Sequence, residues 1–553
     1  MSDAPPDLKR SIWRRNFTFL AFCLIASSAV IGSLWSTKPL PAPSSFDADD
    51  YEELDFQKVV GEIDFQFDRH WATNKINPVQ QADSLLLARR LSLGLTGTVP
   101  SFEEIKALEE TKEEDRVQWW LSRLFEDRRY SDYLAERLAR AYVGVENGPF
   151  LVFRRRRMVD WISEEIQQNQ PYDKIAKALI ASEGTWTTQP QANFITATID
   201  QNEDKGPDEI KLAARLTRAF LGVRIDCVQC HDDMFGDRWK QKDFHQLAAF
   251  FGEAEVSFSG VRDNEKNMYE YRYRRTPEKQ KVLPIVPFSN ELLPEEGKLR
   301  ERLATWVTHP LNRPFSRTIV NRIWALMFNQ PLVPTIDSIP LEGPYPPAME
   351  VLVDDLIAHR FDLQRLIRVI ASTKAFQLDS KSADENYPIT REHEEHWASY
   401  PLTRLRPEQV VGGLIQATSL RTINAEAHII PKLQRFFSQG EFLKRYGDFG
   451  ADEFGEQAGT IPQRLLMMNG KLVREKTENN IFLNATARIG ALAPTDRKAV
   501  EAIYLCVLTR RPTPEEYQAF VPAIEGLKGD ERHVAIGDIC WALLNSTEFA
   551  WNH

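Results

Sequence analysis

Apolar residues recur with a helical period along most of this chain. The clearest case places four of them at positions i, i+3, i+4 and i+7: Leu363, Leu366, Ile367 and Ile370. Asp362 precedes this set and is typical of an N-cap. Alternation of apolar and polar residues, the mark of a half-buried strand, is scarce. The pattern therefore predicts a mainly α protein.

Two further helix starts carry capping signals. Ser101 and Glu104 have the spacing of a capping box, in which the serine accepts a hydrogen bond from the backbone and the glutamate reaches back. Thr513 stands before Pro514, with Glu516 three residues further on. Because proline suits the first helical position, this stretch also predicts a helix start.

The longest apolar run lies near the N-terminus. Residues 17–35 contain no charged residue and, at about 1.5 Å per residue, they can cross a hydrocarbon core of about 30 Å. Lysine and arginine precede this run and acidic residues follow it, so residues 1–16 are expected in the cytoplasm and the body outside it. A cleaved signal peptide is the alternative, because residues 26–28 are small. The length of the run favours an uncleaved single-pass anchor in the inner membrane.

Breaks in the helical pattern divide the remaining sequence. Residues 36–55 are rich in proline, serine and acid without an apolar period, which predicts an extended linker. Residues 255–295 are charged, tyrosine-rich and proline-containing, and no helical period continues through them. We therefore predict two helical domains, 56–254 and 296–553, joined by an irregular connector.

Composition excludes several classes of function. The net charge of −10 gives no general affinity for nucleic acid. No Gly-x-Ser-x-Gly, His-Glu-x-x-His or phosphate-binding glycine loop is present, so hydrolysis has no positive support. Five cysteines are too few for a disulfide-stapled scaffold. Cys506 and Cys540 lie in apolar helical patterns and are expected to be buried, with a disulfide between them as the alternative.

The strongest chemical signal is the stretch Cys227-Val-Gln-Cys230-His231. In a c-type haem site two thiols bond to the haem vinyl groups and the following histidine ligates the iron. An exported location agrees, because bacteria attach haem covalently outside the cytoplasmic membrane. His231 is the expected proximal ligand. The distal ligand is open, and its weak candidates are His245, Met158 and Met268, because Met234 is expected on the same helix face as His231.

Three other interpretations of this stretch stay open. A tetrahedral metal site could combine the two cysteines with His231, His245, Asp232 or Asp233, although the second ligand pair of a zinc finger is missing. A redox dithiol is a second alternative, since a Cys-x-x-Cys spacing lowers a thiol pKa. The third is a structural turn with no bound group.

Residues 217–252 resemble the motif of the planctomycete cytochrome c-like domain, an exported domain of undefined function. Residues 87–105 and 159–180 look like upstream segments of the same domain, and residues 321–339 and 363–380 resemble its usual C-terminal companion. The resemblance implies a helical protein with two exported domains. The family motif continues Asp-His-Pro after the attachment histidine, whereas this chain has Asp-Asp-Met. This difference weakens the interpretation as a non-haem metal site more than the interpretation as a haem site, because the two cysteines and His231 are retained.

Together these signals predict a membrane-anchored, exported protein with covalent haem c, acting in electron transfer or redox sensing in the cell envelope. The resemblance adds an association with exported sulfatase-like proteins, so an envelope redox or sulfatase-like protein is the expected partner. A role as a component of an envelope oxidoreductase is left open. The alternative function is a non-catalytic assembly or scaffold protein of the envelope, in which the Cys-x-x-Cys-His motif is structural or binds a metal.

Overall fold

The computed structural model describes most of the chain after residue 41. The described residues are 16–17, 19–21, 42–145, 153–199, 206–233, 238–273, 278–384, 386–423, 442–447, 459–478, 480 and 484–553. The described part of the chain is mainly helical, with 60% helix and 4% strand, as the sequence pattern predicts.

The helices before the irregular connector form the first half of the fold. They are α1 (Asp49–Glu52), α2 (Leu54–Asn74), α3 (Ser84–Thr96), α4 (Phe102–Glu110), α5 (Arg116–Glu126), α6 (Arg128–Val143), α7 (Arg155–Gln167), α8 (Tyr172–Ala181), α9 (Asn193–Thr196), α10 (Glu209–Leu216) and α11 (Gln241–Ala248). Helices α6 and α7 pack along each other, and α3 contacts α5 and α6.

The helices after the connector complete the fold. They are α12 (Leu299–Val307), α13 (Arg313–Phe328), α14 (Met349–Ala358), α15 (Leu363–Ser372), α16 (Lys374–Gln377), α17 (Arg391–Glu395), α18 (Pro407–Ala417), α19 (Ile461–Asn469), α20 (Lys471–Thr477), α21 (Ala485–Leu492), α22 (Asp496–Leu508), α23 (Pro514–Phe520) and α24 (Gly529–Leu544). Helix α13 packs against α3 and α14, and α24 against α21 and α22.

The described strands form three antiparallel pairs. They are β1 (Ala254–Ser257) with β2 (Gly260–Asp263), β3 (Glu270–Tyr271) with β4 (Gln280–Lys281), and β5 (Thr403–Arg404) with β6 (Trp551–Asn552). The first two pairs lie in the predicted connector. The third joins the middle of the chain to its last residues.

The three predicted helix starts are confirmed. The Asp362 side chain accepts a hydrogen bond from the Arg365 backbone at the start of α15. Complete capping boxes begin α4, at Ser101, and α23, at Thr513. Each uses a side-chain oxygen to satisfy a backbone N–H that has no partner within the helix.

The buried apolar residues form two clusters that do not follow the predicted connector. One cluster runs from Tyr51 to Tyr400, with Leu505 added, and so takes residues from both sides of 255–295. The second is formed mainly by residues 405–549, with Leu93 and Val99 added from the first half. The connector therefore lies against a continuous core, and packing changes from one cluster to the other near residue 400.

Two buried arginines of α3 bind backbone carbonyls near the end of the chain. Arg89 donates to the carbonyl oxygen of Val507, at 3.0 Å. Arg90 donates to those of Phe376, Leu378 and His553, the last at 2.8 Å, and stacks on the Tyr400 ring. These contacts hold the C-terminal residues against the first half of the fold.

The structure differs from the expectation of an extended linker up to residue 55. Helices α1 and α2 already begin at Asp49 and Leu54, and Tyr51 is buried. Ser44 and the backbone of Ser45 bind Glu126. This acidic segment is ordered because its aromatic side chains pack onto the body.

No helix among the described residues is long and apolar enough to cross a membrane. Most of the predicted anchor, residues 17–35, lies outside the described residues, so the transmembrane helix stays a prediction.

Cys506 and Cys540 are buried in the second core and carry free thiols, as the favoured interpretation predicts. Burial raises the pKa of the Cys540 thiol to about 12. Both cysteines therefore behave as small apolar core residues.

Candidate functional site

The Cys-x-x-Cys-His sequence lies on a short turn between two helical segments. A π-helical stretch, Thr217–Leu221, continues α10, and a 3₁₀ turn, Asp226–Gln229, carries Cys227. Cys230 follows this turn, and both thiols are free and exposed. The π-helical geometry is uncommon and is found often at functional sites.

His231 does not lie on a helix, contrary to expectation. Residues 231–233 have no helical structure after the 3₁₀ turn ends at Gln229. Met234 lies outside the described residues, so its expected place on the His231 side stays a prediction.

Gly222 sets the direction of the chain just before the motif. Its φ of +58° is left-handed, and a Cβ here would lie 2.7 Å from the Thr318 hydroxyl. Its carbonyl oxygen accepts a hydrogen bond of 2.7 Å from the backbone of Ile339. Only glycine combines a left-handed φ with the absence of a Cβ that would contact Thr318, so only glycine fits here without strain. The second half of the fold thereby fixes the entry to the cysteine turn.

Salt bridges hold the front of the turn. Arg218, on the π-helical stretch, bonds to both carboxylate oxygens of Asp226, the first residue of the 3₁₀ turn. Arg224 pairs with Asp337 at 2.8 Å. These residues come from the motif region and from the segment after α13, so the turn is tied to both halves of the chain.

Hydrogen bonds from the side of α11 converge on the peptide between the two cysteines. The carbonyl oxygen of Gln229 accepts from His245 Nε2 at 3.0 Å and from Gln241 Nε2 at 3.0 Å. The Tyr271 hydroxyl donates to the same oxygen at 3.4 Å. We call Gln229, Gln241, His245 and Tyr271 the carbonyl clamp. It fixes the backbone that spaces Cys227 from Cys230.

His245 is fully buried and uses both ring nitrogens. Nε2 must carry a proton because it contacts a carbonyl, and Nδ1 then accepts from the Tyr269 hydroxyl at 2.8 Å. Its ring stacks on Tyr271 with centroids 3.4 Å apart. Burial lowers the pKa of His245, so the neutral ring is favoured. To serve as a distal haem ligand, this histidine would have to break one of these bonds.

His231 has the opposite environment. Its side chain is exposed, and Nδ1 donates to the backbone carbonyl of Asp232 at 2.8 Å. No described residue bonds to Nε2. In the neutral form the lone pair therefore lies on Nε2, which is the arrangement that metal-ligating histidines commonly have.

The two methionine candidates for the distal ligand lie in different environments. Met158 is fully buried on α7 as part of the first core. Met268 lies between β2 and β3 and is half exposed. The Met158 side chain is therefore part of the core, whereas the Met268 thioether is more accessible as a possible distal ligand.

A preformed tetrahedral metal site at the cysteine turn has no support among the described residues. Among all described residues, only one group of three potential ligand side chains comes together. It consists of Asp55, Asp355 and His359 and contains no residue of the cysteine turn. Arg365 already donates to both of those carboxylates. One guanidinium thus already offsets part of their negative charge.

The sequence did not indicate the carbonyl clamp as a unit. Tyr269 and Tyr271 stand in the irregular connector, and no local pattern links them to His245. The only available signal was the unusual density of tyrosine in residues 269–273. Tertiary folding brings β3 against α11 and so completes the cluster.

The fold and the turn define a mainly helical protein with an exposed Cys-x-x-Cys-His motif. Residues 62–256 match the PSCyt2 family, described as Protein of unknown function (DUF1549). Residues 299–440 match the PSD1 family, described as Protein of unknown function (DUF1553). The two domains follow each other in the predicted order, which confirms the resemblance. No curated protein and no solved structure matches the chain.

Proposed function

We propose that this protein is an exported c-type haem protein that transfers electrons or senses redox state in the cell envelope. The observation that carries the proposal is the His231 geometry beside two free, exposed thiols. A histidine with Nδ1–H bonded to a carbonyl presents Nε2 as a ligand, and Cys227 and Cys230 stand in the attachment spacing.

Each residue of the turn then has a defined role. Cys227 and Cys230 would form the thioether bonds, and His231 Nε2 would ligate the iron. When bound, the haem supplies one-electron redox chemistry. The carbonyl clamp keeps the peptide between the two cysteines fixed before attachment. The distal ligand is not assigned, with Met268 the most accessible of the candidates.

The proposed location and partners rest on the N-terminal sequence and on the family resemblance. The uncharged run of residues 17–35 would anchor the protein in the inner membrane, with residues 36–553 outside the cytoplasm. Partners would be an envelope redox protein or a sulfatase-like protein, with this chain as a possible component of an oxidoreductase system.

Expression with a cytochrome c maturation system tests the proposal. We expect the full-length protein to retain a haem-stained band after denaturing electrophoresis. The pyridine haemochrome spectrum should report two thioether bonds in the wild type and one in Cys227→Ser. The double variant Cys227→Ser, Cys230→Ser should carry no covalent haem. Cys506→Ala, which changes a buried thiol, is the matched control and should stain as the wild type does. Full-length wild-type protein without covalent Soret absorbance would refute the proposal.

A second candidate is a non-catalytic envelope scaffold with a structural cysteine turn. The carbonyl clamp favours it, because three side-chain donors of the chain itself fix the turn. Under this alternative the double cysteine variant has normal stability and the wild type never carries haem. The same preparations therefore separate the two functions.

A further inference from the structure

A cavity of 390 Å³ lies where the N-terminal segment meets the turn between α14 and α15. No residue of the cysteine turn lines it. Segment 358–368 contributes arginine side chains, and segment 50–56 contributes Tyr51 and acidic side chains. Its volume falls within the range of about 300–1,000 Å³ that is usual for small-molecule sites.

Arg368 brings a guanidinium into this cavity. Its guanidinium lies over the rings of Tyr51 and Phe125, at 5.9 and 5.6 Å. Its Nε is buried without a hydrogen-bond partner, and no described residue forms an ion pair with the side chain. A partly buried guanidinium that lacks an acid favours an anion beside it, because its planar donors suit oxyanions.

The neighbouring Arg365 differs from Arg368 in this respect. It binds Asp355 through Nε and Nη2, and it also binds Asp55. Its charge is balanced within the protein. Arg360 also lines the cavity, is exposed, and has a left-handed φ of +56° that places it on the tight turn.

Tyr51 supplies a second donor. The residue is only 6% exposed. The Ser122 hydroxyl donates to the Tyr51 oxygen, which leaves the Tyr51 O–H able to donate to a ligand. Burial raises the pKa of Tyr51 to about 12, so the hydroxyl stays protonated at neutral pH and can donate.

Acidic residues limit the charge of any occupant. Asp50 and Glu53 line the cavity from the N-terminal segment. Asp362 also lines the cavity and caps α15 by accepting from the Arg365 backbone. Repulsion from these carboxylates favours a ligand with a single oxyanion group directed at Arg368 over a ligand that carries several such groups.

We propose that this cavity binds a small molecule through one oxyanion group, with Arg368 and Tyr51 as donors and Arg360 at the entrance. The group is a carboxylate, a phosphate or a sulfate, and the site is independent of the proposed haem chemistry. Binding would also join segment 50–56 to α15.

Binding is tested with the full-length protein in detergent at constant ionic strength. Inorganic phosphate, sulfate and acetate are titrated separately, by isothermal calorimetry and by thermal unfolding. We expect a saturable rise in Tm with at least one of them, and the strongest of the three identifies the oxyanion. Arg368→Gln should weaken that binding about tenfold or more, because a hydrogen bond to a charged group contributes that much affinity.

Two further variants and one control keep the test decisive. Tyr51→Phe removes only the hydroxyl and should weaken binding several-fold. Arg360→Gln changes an exposed residue, so it keeps the fold even where Arg368→Gln does not, and it should also weaken binding. Arg69→Gln makes the same charge change on an exposed part of α2 that does not line the cavity, and it should bind as the wild type does. The absence of saturable binding, or an equal response in all variants and the control, would overturn the proposal.

Discussion

Two histidines of the candidate site show how environment assigns a role to a residue type. His231 is exposed and no described residue bonds to its Nε2, whereas His245 is buried with both nitrogens bonded. The sequence places both within the same short region and treats both as potential ligands. Their surroundings make the first a candidate for chemistry and the second a positioning residue for the Gln229 carbonyl.

His245→Ala is expected to destabilise the protein. The change removes two buried hydrogen bonds and a stacked ring, and it leaves the Tyr269 hydroxyl without its acceptor. The free energy of unfolding should fall by about 2 to 4 kcal/mol. Denaturant unfolding of the apoprotein measures it. His231→Ala is the matched control, and it should change the same quantity by less than about 0.5 kcal/mol because the ring is exposed. Equal effects in the two variants would contradict this assignment.

The pH dependence of stability gives the same prediction a second readout. Burial lowers the pKa of His245 in the folded state below its ordinary value of 6.5. Below pH 6.5 the unfolded chain therefore binds a proton that the folded protein does not. The free energy of unfolding decreases as the pH is lowered. His245→Gln should lose this part of the acid sensitivity, so the stability difference between wild type and variant should shrink as the pH drops below 6.5.

Among the elements, the short connections do most to position the site. The π-helical stretch, the left-handed Gly222 and the 3₁₀ turn follow each other directly before Cys230. Helix α11 and strand β3 then support the turn from one side. None of these connections has a long hydrophobic period, which is why they were the least predictable part of the fold.

Gly222→Ala tests the importance of the entry turn. An alanine there would adopt a left-handed φ and would place its Cβ 2.7 Å from the Thr318 hydroxyl. We expect a loss of about 1 to 3 kcal/mol in the free energy of unfolding. Gly61→Ala on α2 is the control, because nothing lies within 4 Å of the new methyl group. That change should stabilise the protein by about 0.5 to 1 kcal/mol, as alanine favours a helix over glycine. Thermal unfolding should show a lower Tm for Gly222→Ala and a higher Tm for Gly61→Ala.

At the scale of the whole molecule, the two cores are joined through α3. Leu93 and Val99 reach the second core, while Arg89 and Arg90 bind carbonyls of the C-terminal half. The family boundaries and the core boundary therefore differ: one family match ends at 256, but the first core continues to Tyr400. A family match covers a continuous segment of the sequence, whereas a hydrophobic core is formed by residues that the fold brings into contact.

Arg90→Met should loosen the C-terminal segment. The variant keeps an unbranched apolar chain but leaves the carbonyls of Phe376, Leu378 and His553 without this donor. Limited proteolysis followed by mass spectrometry should show faster cleavage near residues 545–553, together with a loss of about 3 kcal/mol or more in stability. Arg391→Met, at an exposed position, controls for the substitution itself. An unchanged cleavage pattern at the C-terminus would show that β5 and β6 hold this segment without Arg90.

The sequence by itself determined the helical class, the three capped helix starts and the burial of Cys506 and Cys540, because each depends on local periodicity or on the chemistry of neighbouring residues. It also singled out Cys227, Cys230 and His231 by their spacing. Only the tertiary structure decided that α1 and α2 begin within the expected linker, that the core passes across the connector, and that His245 supports the turn. Those features depend on contacts between residues far apart in sequence, for which periodicity carries no information.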